Sequence, residues 1–438
     1  MNDKVQNILT KISTNKEVVG VIGLGYVGLP LAVTFAEAGI TVVGFDKNKA
    51  KVDKLNRGDN YISDITEKEL KNVIDSGKFE ATADFKRISQ CDALIICVPT
   101  PLDIFKKPDM SFIENACIEI GKNMTSATFI SLESTTYPTT TENFMLPIIE
   151  RESGLKHGED FWLAYSPERI DPGNVTYKTK NTPKVLGALN DDGLKIGELL
   201  YKKSIQNIHL VSSPRVAEMV KILENTYRLI NISLINELAL LAGKMDINIW
   251  EVIEAAKTKP FGFQAFYPGP GIGGHCIPLD PFYLEYIAKK FNFDLSMIHN
   301  AGHINMRMPH YMVNKISSAL NKHKKSINGS KVLFLGVAYK PNIDDERESP
   351  ALEIIDIVAN KGGVVSYNDP YIPNITTHDG ETFKSVELTS EELKSADVVV
   401  ITTNHSVYDA LFILEHSNLI VDLRNLIAPD NNNKVFKL

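Results

Sequence analysis

The sequence predicts an α/β protein, and three observations carry the prediction. Apolar runs of strand length alternate with helical segments near both ends of the chain. A glycine-rich turn joins the first of these strands to the helix after it. A helical stretch of about 30 residues separates the two alternating regions. Alternation of this kind implies doubly wound sheets of mainly parallel strands. We expect a doubly wound domain over residues 1–211, a central long-helix region over 212–325 and a smaller α/β domain over 326–438.

The elements follow in order. The N-terminal "MNDKVQNILTKISTNKE" reads as a short helix with Ile8, Leu9 and Ile12 on one side. "EVVGVIGLG" is a buried strand and turn, "YVGLPLAVTFAEAG" a helix closed by Gly39, and "TVVGFD" the next strand. "ALIICVPT", "TFISLEST", "FWLAYSP" and "PKVLGAL" are later strands. From Ser212 onward "SPRVAEMVKILENTYRLINISLINELALLAGKM" keeps helical periodicity well past the usual ~11–12 residues. Ser213 suits its cap and Pro214 its first turn. So long a helix joins domains or builds an oligomer interface. The polar "NKHKKSINGS" precedes a second alternating region, with strands in "KVLFLGVAY", "GVVSYNDP", "ADVVVITTN" and "NLIVDLRN".

Composition narrows the class. The chain has 438 residues, enough for two or three domains. Apolar residues make up 43% and the net charge is -7, which argues against nonspecific binding to nucleic acid or anionic membrane. Four cysteines in this length form no disulfide framework. Cys91, Cys97 and Cys117 sit among apolar or helical neighbours and read as small buried hydrophobes. No apolar run is long enough to span a bilayer, and the N-terminus has no signal-like core. The expected setting is cytoplasmic and reducing, without nucleic-acid or membrane partners.

The segment Gly23-Leu24-Gly25-Tyr26-Val27-Gly28 follows a strand and opens a helix, and Asp46 ends the next strand. Gly23 permits the tight turn, Gly25 lets the backbone approach a pyrophosphate, and Gly28 allows close helix–strand packing. The helix N-terminus attracts the phosphates. Asp46 would bind the adenosine ribose hydroxyls and repel a 2′-phosphate, so the expected cofactor is NAD. This is the fingerprint of a Rossmann-type domain.

"FYPGPGIGGHCIPLDPFYL", Phe266 to Leu284, holds Cys276 among glycines and prolines that suit neither helix nor strand. Cysteine chemistry needs a thiolate, a partner for the developing oxyanion and control of water. Asp280 lies four residues beyond. Lys221 and Asn225 are spaced i,i+4 on one face of the long helix; surface placement is the plainer alternative. Glu168 ends the strand "FWLAYSPE", where an α/β sheet presents ligands, or it caps a turn. His275 is expected to hydrogen-bond the loop rather than act as a base. No CxxC or HExxH spacing points to zinc, so no metal is expected.

Taken together, "GVIGLGYVGLPLA", "CVPTP", "ESTTYP", "AYSPERIDPGN", "VKILENTYRLINISLINELA", "FYPGPGIGGHCIPLDP" and "GVAYKPNIDDERESPALEI" resemble the UDP-glucose/GDP-mannose dehydrogenase family over essentially the whole chain. Within it they look most like the UDP-N-acetylhexosamine 6-dehydrogenases of surface-polysaccharide pathways.

The resemblance implies a four-electron oxidation of a sugar C6 hydroxyl through a Cys276 thiohemiacetal and thioester. It places Lys221 and Asn225 at the C6 oxyanion, Asp280 and Thr135 at the hydrolytic water, and Glu168 at thioester hydrolysis and the sugar. Lys51, Thr100, Thr135 and Arg347 correspond to cofactor contacts, beside Gly23, Gly25, Tyr26, Val27, Gly28 and Asp46. Arg169, Phe266, Tyr267, Gly273 and Lys340 border the substrate, Lys340 from a UDP-binding C-terminal domain. The family's active site lies between domains, and its long helix implies a homodimer.

Three departures refine the expectation. The UDP-glucose enzymes carry a second acid after the strand bearing Glu168, where this chain has Arg169 and Asp171. They carry an arginine sixteen residues before the cysteine, where this chain has Pro260, with Lys257 and Lys259 nearby. Both favour the N-acetylhexosamine branch over UDP-glucose; within that branch "SPERIDPGN" and "FYPGPG" look more like UDP-GlcNAc enzymes first and UDP-GalNAc enzymes next than UDP-ManNAc ones. Thr139 stands where glycine is expected beside Thr135. The competing readings are a two-electron hydroxyacid dehydrogenase, which leaves Cys276 idle, and a non-catalytic nucleotide-sugar sensor.

Overall fold

Strands β1 (Val18–Ile22), β2 (Thr41–Phe45), β3 (Phe79–Thr82), β4 (Ala93–Ile96), β5 (Thr128–Leu132), β6 (Phe161–Tyr165), β7 (Lys184–Ala188) and β8 (Ile208–Val211) build one sheet in the order β3-β2-β1-β4-β5-β6-β7-β8. This is a computed structural model, which describes residues 2–62, 64–103, 107–171, 174, 176–274, 276–428 and 434–438. The pairs are parallel except β6 with β7, which is antiparallel. The first six strands have the order 3-2-1-4-5-6 of a dinucleotide-binding sheet, with the switch point between β1 and β4. Continuous apolar runs such as Ala93–Ile96 are buried on both faces, as a covered parallel sheet requires.

Helices α1 (Asp3–Ser13), α2 (Gly28–Glu37), α3 (Lys49–Asn56), α4 (Glu67–Asp75), α5 (Ser111–Asn123), α6 (Leu146–Ser153) and α7 (Asp191–Tyr201) accompany this sheet. Local sequence sets their ends. Asn2 caps α1, Asn48 caps α3, and Thr66 with Glu69 forms a capping box on α4. The expected N-terminal helix is present and buries Val5, Ile8 and Ile12.

The long helix α8 runs Pro214–Lys244, 31 residues, or about 46 Å. After it come α9 (Ile249–Lys257), α10 (Asp280–Ala288) and α11 (Ser296–Lys322). α11 extends two residues into the polar stretch that begins at Asn321, and Ile327 is buried in the following core.

A second sheet combines β9 (Lys331–Leu335), β10 (Val364–Asn368), β13 (Val398–Ile401), β14 (Ile420–Asp422) and β15 (Val435–Lys437) in the order β10-β9-β13-β14-β15, all parallel. β11 (Asn374–Thr376) and β12 (Thr382–Lys384) form a small antiparallel pair. Helices α12 (Pro350–Asn360), α13 (Ser390–Ser395) and α14 (Ala410–His416) complete the region.

The chain folds as two units, Met1–Glu224 with Phe282–Asn292, and Asn225–Pro281 with Phe293–Leu438. The stretch 212–325 therefore contributes to both. In the second unit α8, α9 and α11 share a core with the C-terminal sheet: Ile235, Trp250, Met312, Val332 and Phe334 are buried together. Among the described residues no helix is long and apolar enough to cross a membrane.

Candidate active site

In the first unit, the turn after β1 is shaped for a dinucleotide. Gly23 has φ +93°, and a Cβ there would sit 2.6 Å from the carbonyl oxygen of Cys97. A Cβ on Gly28 would collide with the Gly23 carbonyl. A Cβ on Gly25 would meet nothing within 4 Å, so that backbone faces open space where a pyrophosphate could approach. Tyr26 is exposed and Val27 leads into α2. Asp46 ends β2, and its carboxylate accepts from Leu24 N at 3.2 Å and Asn48 N at 2.8 Å. The turn is thereby bound to the acid expected to take the ribose. Lys51 lies on α3 with Nζ 5.6 Å from the Tyr61 ring centre. Thr100 is buried, and its carbonyl accepts from Tyr283 at 2.7 Å. These features fit an NAD.

The ends of β5 and β6 carry Thr135 and Glu168. Tyr165 Oη donates to Ser134 O at 3.3 Å and so ties one strand end to the other. Glu168 Oε1 accepts from Arg169 N and Ile170 N at 2.7 and 2.6 Å. The Glu168 side chain thus closes its own turn, as the plainer alternative held, while its carbonyl accepts from Lys221 Nζ at 3.0 Å. Lys221 is buried, which settles it against a surface role. Arg169 pairs with Glu224 at 2.6 Å and donates to Pro183 O. Beneath this lies a buried ion pair, Lys184 to Glu133 at 2.6 Å, with Tyr201 Oη donating to the same carboxylate at 2.6 Å. Burial raises the Glu133 carboxyl, and Lys184 draws it back down.

In the second unit the glycine–proline loop finds its partners. A Cβ on Gly273 would sit 2.6 Å from Tyr339 Cβ and 2.7 Å from Glu348 O. Gly274, at φ +82°, donates its N–H to Arg347 O at 3.0 Å. Gly269 N donates to buried Asn236 at 3.0 Å, and Asn236 in turn donates to Asn305 at 3.0 Å. The loop is therefore zipped against the segment carrying Tyr339, Lys340 and Arg347. Cys276 is exposed, whereas Cys91, Cys97 and Cys117 are buried as expected. Its carbonyl accepts from Asp280 N at 2.8 Å, so the cysteine sits on the turn that starts α10. Asn225 donates to the buried Asp280 carboxylate at 2.6 Å. Phe266 meets Tyr227 edge to face. Tyr267 stacks on Trp250 and donates to Glu254 at 2.7 Å. Lys257 approaches the Tyr267 hydroxyl at 3.3 Å, and Lys259 lies over the Phe261 ring. Arg347 is clamped to Asp345. His275 lies outside the described residues.

Sequence reasoning missed Arg424. It follows β14, its Nε donates to Thr402 O at 3.0 Å, and a Cβ on Gly269 would strike its guanidinium. No carboxylate among the described residues pairs with it, and burial pushes it down to about 10. The available signal was its place at the C-terminal end of a strand in "VDLRN", where α/β sheets present ligands.

No group of three or more potential metal ligands occurs among the described residues.

A dinucleotide turn on a 3-2-1-4-5-6 sheet defines a Rossmann-type dinucleotide-binding domain, and the match to a dehydrogenase family makes the protein an NAD-dependent oxidoreductase. The chain belongs to the UDP-glucose/GDP-mannose dehydrogenase family: residues 17–205 match its NAD binding domain, 215–307 its central domain and 333–429 its UDP binding domain. It is 35% identical to a UDP-N-acetyl-D-mannosamine dehydrogenase of Pyrococcus horikoshii over 96% of this chain and 98% of that protein. It is 36% identical to a UDP-N-acetyl-D-glucosamine 6-dehydrogenase of Pseudomonas aeruginosa over 81% of this chain and 83% of that one. Among solved structures, an NDP-N-acetyl-D-galactosaminuronic acid dehydrogenase of Methanosarcina mazei aligns with a TM-score of 0.82 at 32% identity, covering 100% of this chain and 97% of that one.

Proposed function

We propose that the protein oxidises the C6 hydroxyl of a UDP-N-acetylhexosamine to the carboxylate, with UDP-GlcNAc the first candidate and UDP-GalNAc the next. The observation that carries this reading is Cys276, the exposed cysteine, held on a turn whose neighbours are Asp280 and its partner Asn225. A simple alcohol–ketone oxidation gives such a cysteine no task.

NAD, when bound, accepts one hydride at each oxidation. The residues supply the rest. Lys221 and Asn225, one helical turn apart, donate to the oxygen on C6 as it gains charge. The Cys276 thiolate adds to the C6 aldehyde and forms a C–S bond, and the oxygen takes a proton. Loss of the second hydride and that proton leaves a thioester. Asp280 and Thr135 orient water for attack on the thioester carbon, with Glu168 assisting, and the C–S bond breaks to return the thiolate. The sum is one alcohol, one water and two NAD giving one carboxylate, two NADH and three protons. Arg169, Phe266, Tyr267 and Gly273 border the sugar, and Arg347 contacts the cofactor. Lys340 and Arg424 hold the diphosphate by charge-assisted hydrogen bonds.

A second reading is a UDP-ManNAc 6-dehydrogenase, favoured by the nearly full-length likeness to the Pyrococcus horikoshii enzyme. Separate incubations with NAD and UDP-GlcNAc, UDP-GalNAc, UDP-ManNAc or UDP-glucose, counting NADH per sugar, decide the matter. Two NADH on one N-acetylated sugar is the expected result. One NADH with a free aldehyde overturns the thioester route, and absence of NADH on every sugar overturns the proposal.

We further propose a homodimer through α8. Its exposed Tyr227, Leu234, Leu238 and Leu241 recur at coiled-coil spacing along one side of the helix, and exposed Met245 follows directly after its end. A second copy of the same stripe is self-complementary, as a two-fold interface requires.

A further inference from the structure

Glu218 is fully buried on α8, three residues before Lys221. No cation among the described residues pairs with it. Instead its Oε2 accepts from Thr139 N at 2.6 Å, and its Oε1 accepts from Thr141 N at 2.9 Å and Thr141 Oγ1 at 2.7 Å. Three donors converge on one carboxylate, which takes them all; an amide would turn a donor of its own toward them. The turn it grips is strained. Thr139 has φ +89°, a region that β-branched residues avoid. Thr140, between the two gripped residues, shares a hydroxyl hydrogen bond of 2.6 Å with Thr136 and donates to Tyr137 O. A π-helical turn, Thr141–Met145, follows at once, and such turns are frequent at functional sites.

We propose that Glu218 is a positioning residue: its carboxylate holds the Thr139–Thr141 turn in its strained form and, through the Thr140–Thr136 hydroxyl bond, sets the neighbouring Thr135 for the reaction. The inference rests on the role proposed above for Thr135. α8 then holds two loops at once, the one after β5 through Glu218 and the one after β6 through the Lys221 bond to Glu168 O. Burial raises the Glu218 carboxyl to about 7, against the pull of its three hydrogen bonds. Glu142 raises it further while itself bonded to Arg215, and Tyr137 also faces it. Near neutrality the grip therefore depends on pH.

The test compares wild type, Glu218→Gln and Glu218→Gln with Thr139→Gly, across about pH 5.5 to 8.5. Hydrogen exchange is followed in peptides spanning 139–141, with kcat and KM beside it. In wild type, protection and kcat should rise together as pH passes about 7. E218Q should lose both trends and about 10- to 100-fold in kcat, with KM for NAD and sugar within about 2-fold. Thr139→Gly should restore part of kcat by relieving strain. If E218Q does not fold, Glu218→Asp, which keeps the charge but shortens the reach, takes its place. Wild-type exchange in E218Q overturns the inference, as does lost protection with unchanged kcat. If wild type turns over no UDP-sugar, the proposed function falls, and exchange alone judges the grip.

Discussion

Cys276 is set apart from the other three cysteines by what its neighbours forbid. Glycine at 273 and 274 lets the loop lie against Tyr339, Glu348 and Arg347, and Asp280 draws the chain into α10. The thiol is left exposed on a turn held from both sides. Cys276→Ala should therefore fold, bind NAD and lose uronate formation by on the order of 10³-fold or more. NADH and product assays check this, and wild-type turnover would refute the thioester route. Arg424 makes a different demand. A half-buried guanidinium without a carboxylate is stabilised by an anion. Arg424→Ala should raise KM for the UDP-sugar on the order of 10-fold and leave KM for NAD unchanged. Equal KM values for wild type and variant would remove Arg424 from the diphosphate.

Among the elements, α8 carries the most. Within one helix, Glu218 and Lys221 bond the loops after β5 and β6 in the first unit, Ile235 and Ala239 enter the core of the second, and Leu234 and Leu238 are exposed. The double change Leu234→Glu and Leu238→Glu places like charges on both copies of the proposed interface. It should convert a dimer to monomer by light scattering while helicity is kept; an unchanged mass would place the interface elsewhere. The periodicity of α8 and the glycine turn after β1 were legible in the sequence because both depend on short-range geometry. The Glu218 grip was not: the acid and Thr139 stand 79 residues apart. Thr139 did stand out as a departure from glycine, and its positive φ agrees with that expectation.

At the scale of the whole molecule, buried charge sets the response to pH and to mutation. An ordinary glutamate loses its proton near 4.3, whereas folded Glu218 keeps it to about 7. Between those values the folded state holds a proton that the unfolded chain has released. The stability owed to the protonated form is full below the lower value and lost as pH rises through the upper one. E218Q should thus gain Tm relative to wild type as pH rises from about 5 to 8, and a pH-independent difference would refute the raised value. Lys184→Met leaves Glu133 buried without its ammonium and should cost about 3–5 kcal/mol. Urea unfolding followed at Trp162 in a Trp250→Phe background reads the first unit, where that pair lies. A loss under about 1 kcal/mol would mean that the pair is solvated before unfolding.

The sequence by itself determined the two α/β regions, the dinucleotide turn, the long helix and the family, because strand alternation, helical phase and glycine turns are written in neighbouring residues. Only the tertiary structure decided which unit each part of 212–325 joins, that the Glu168 side chain closes its own turn while its carbonyl meets Lys221, and that Arg424 backs the glycine–proline loop. Those facts are contacts between residues far apart in the chain. They follow from where the sheets carry their loops, which no local spacing encodes.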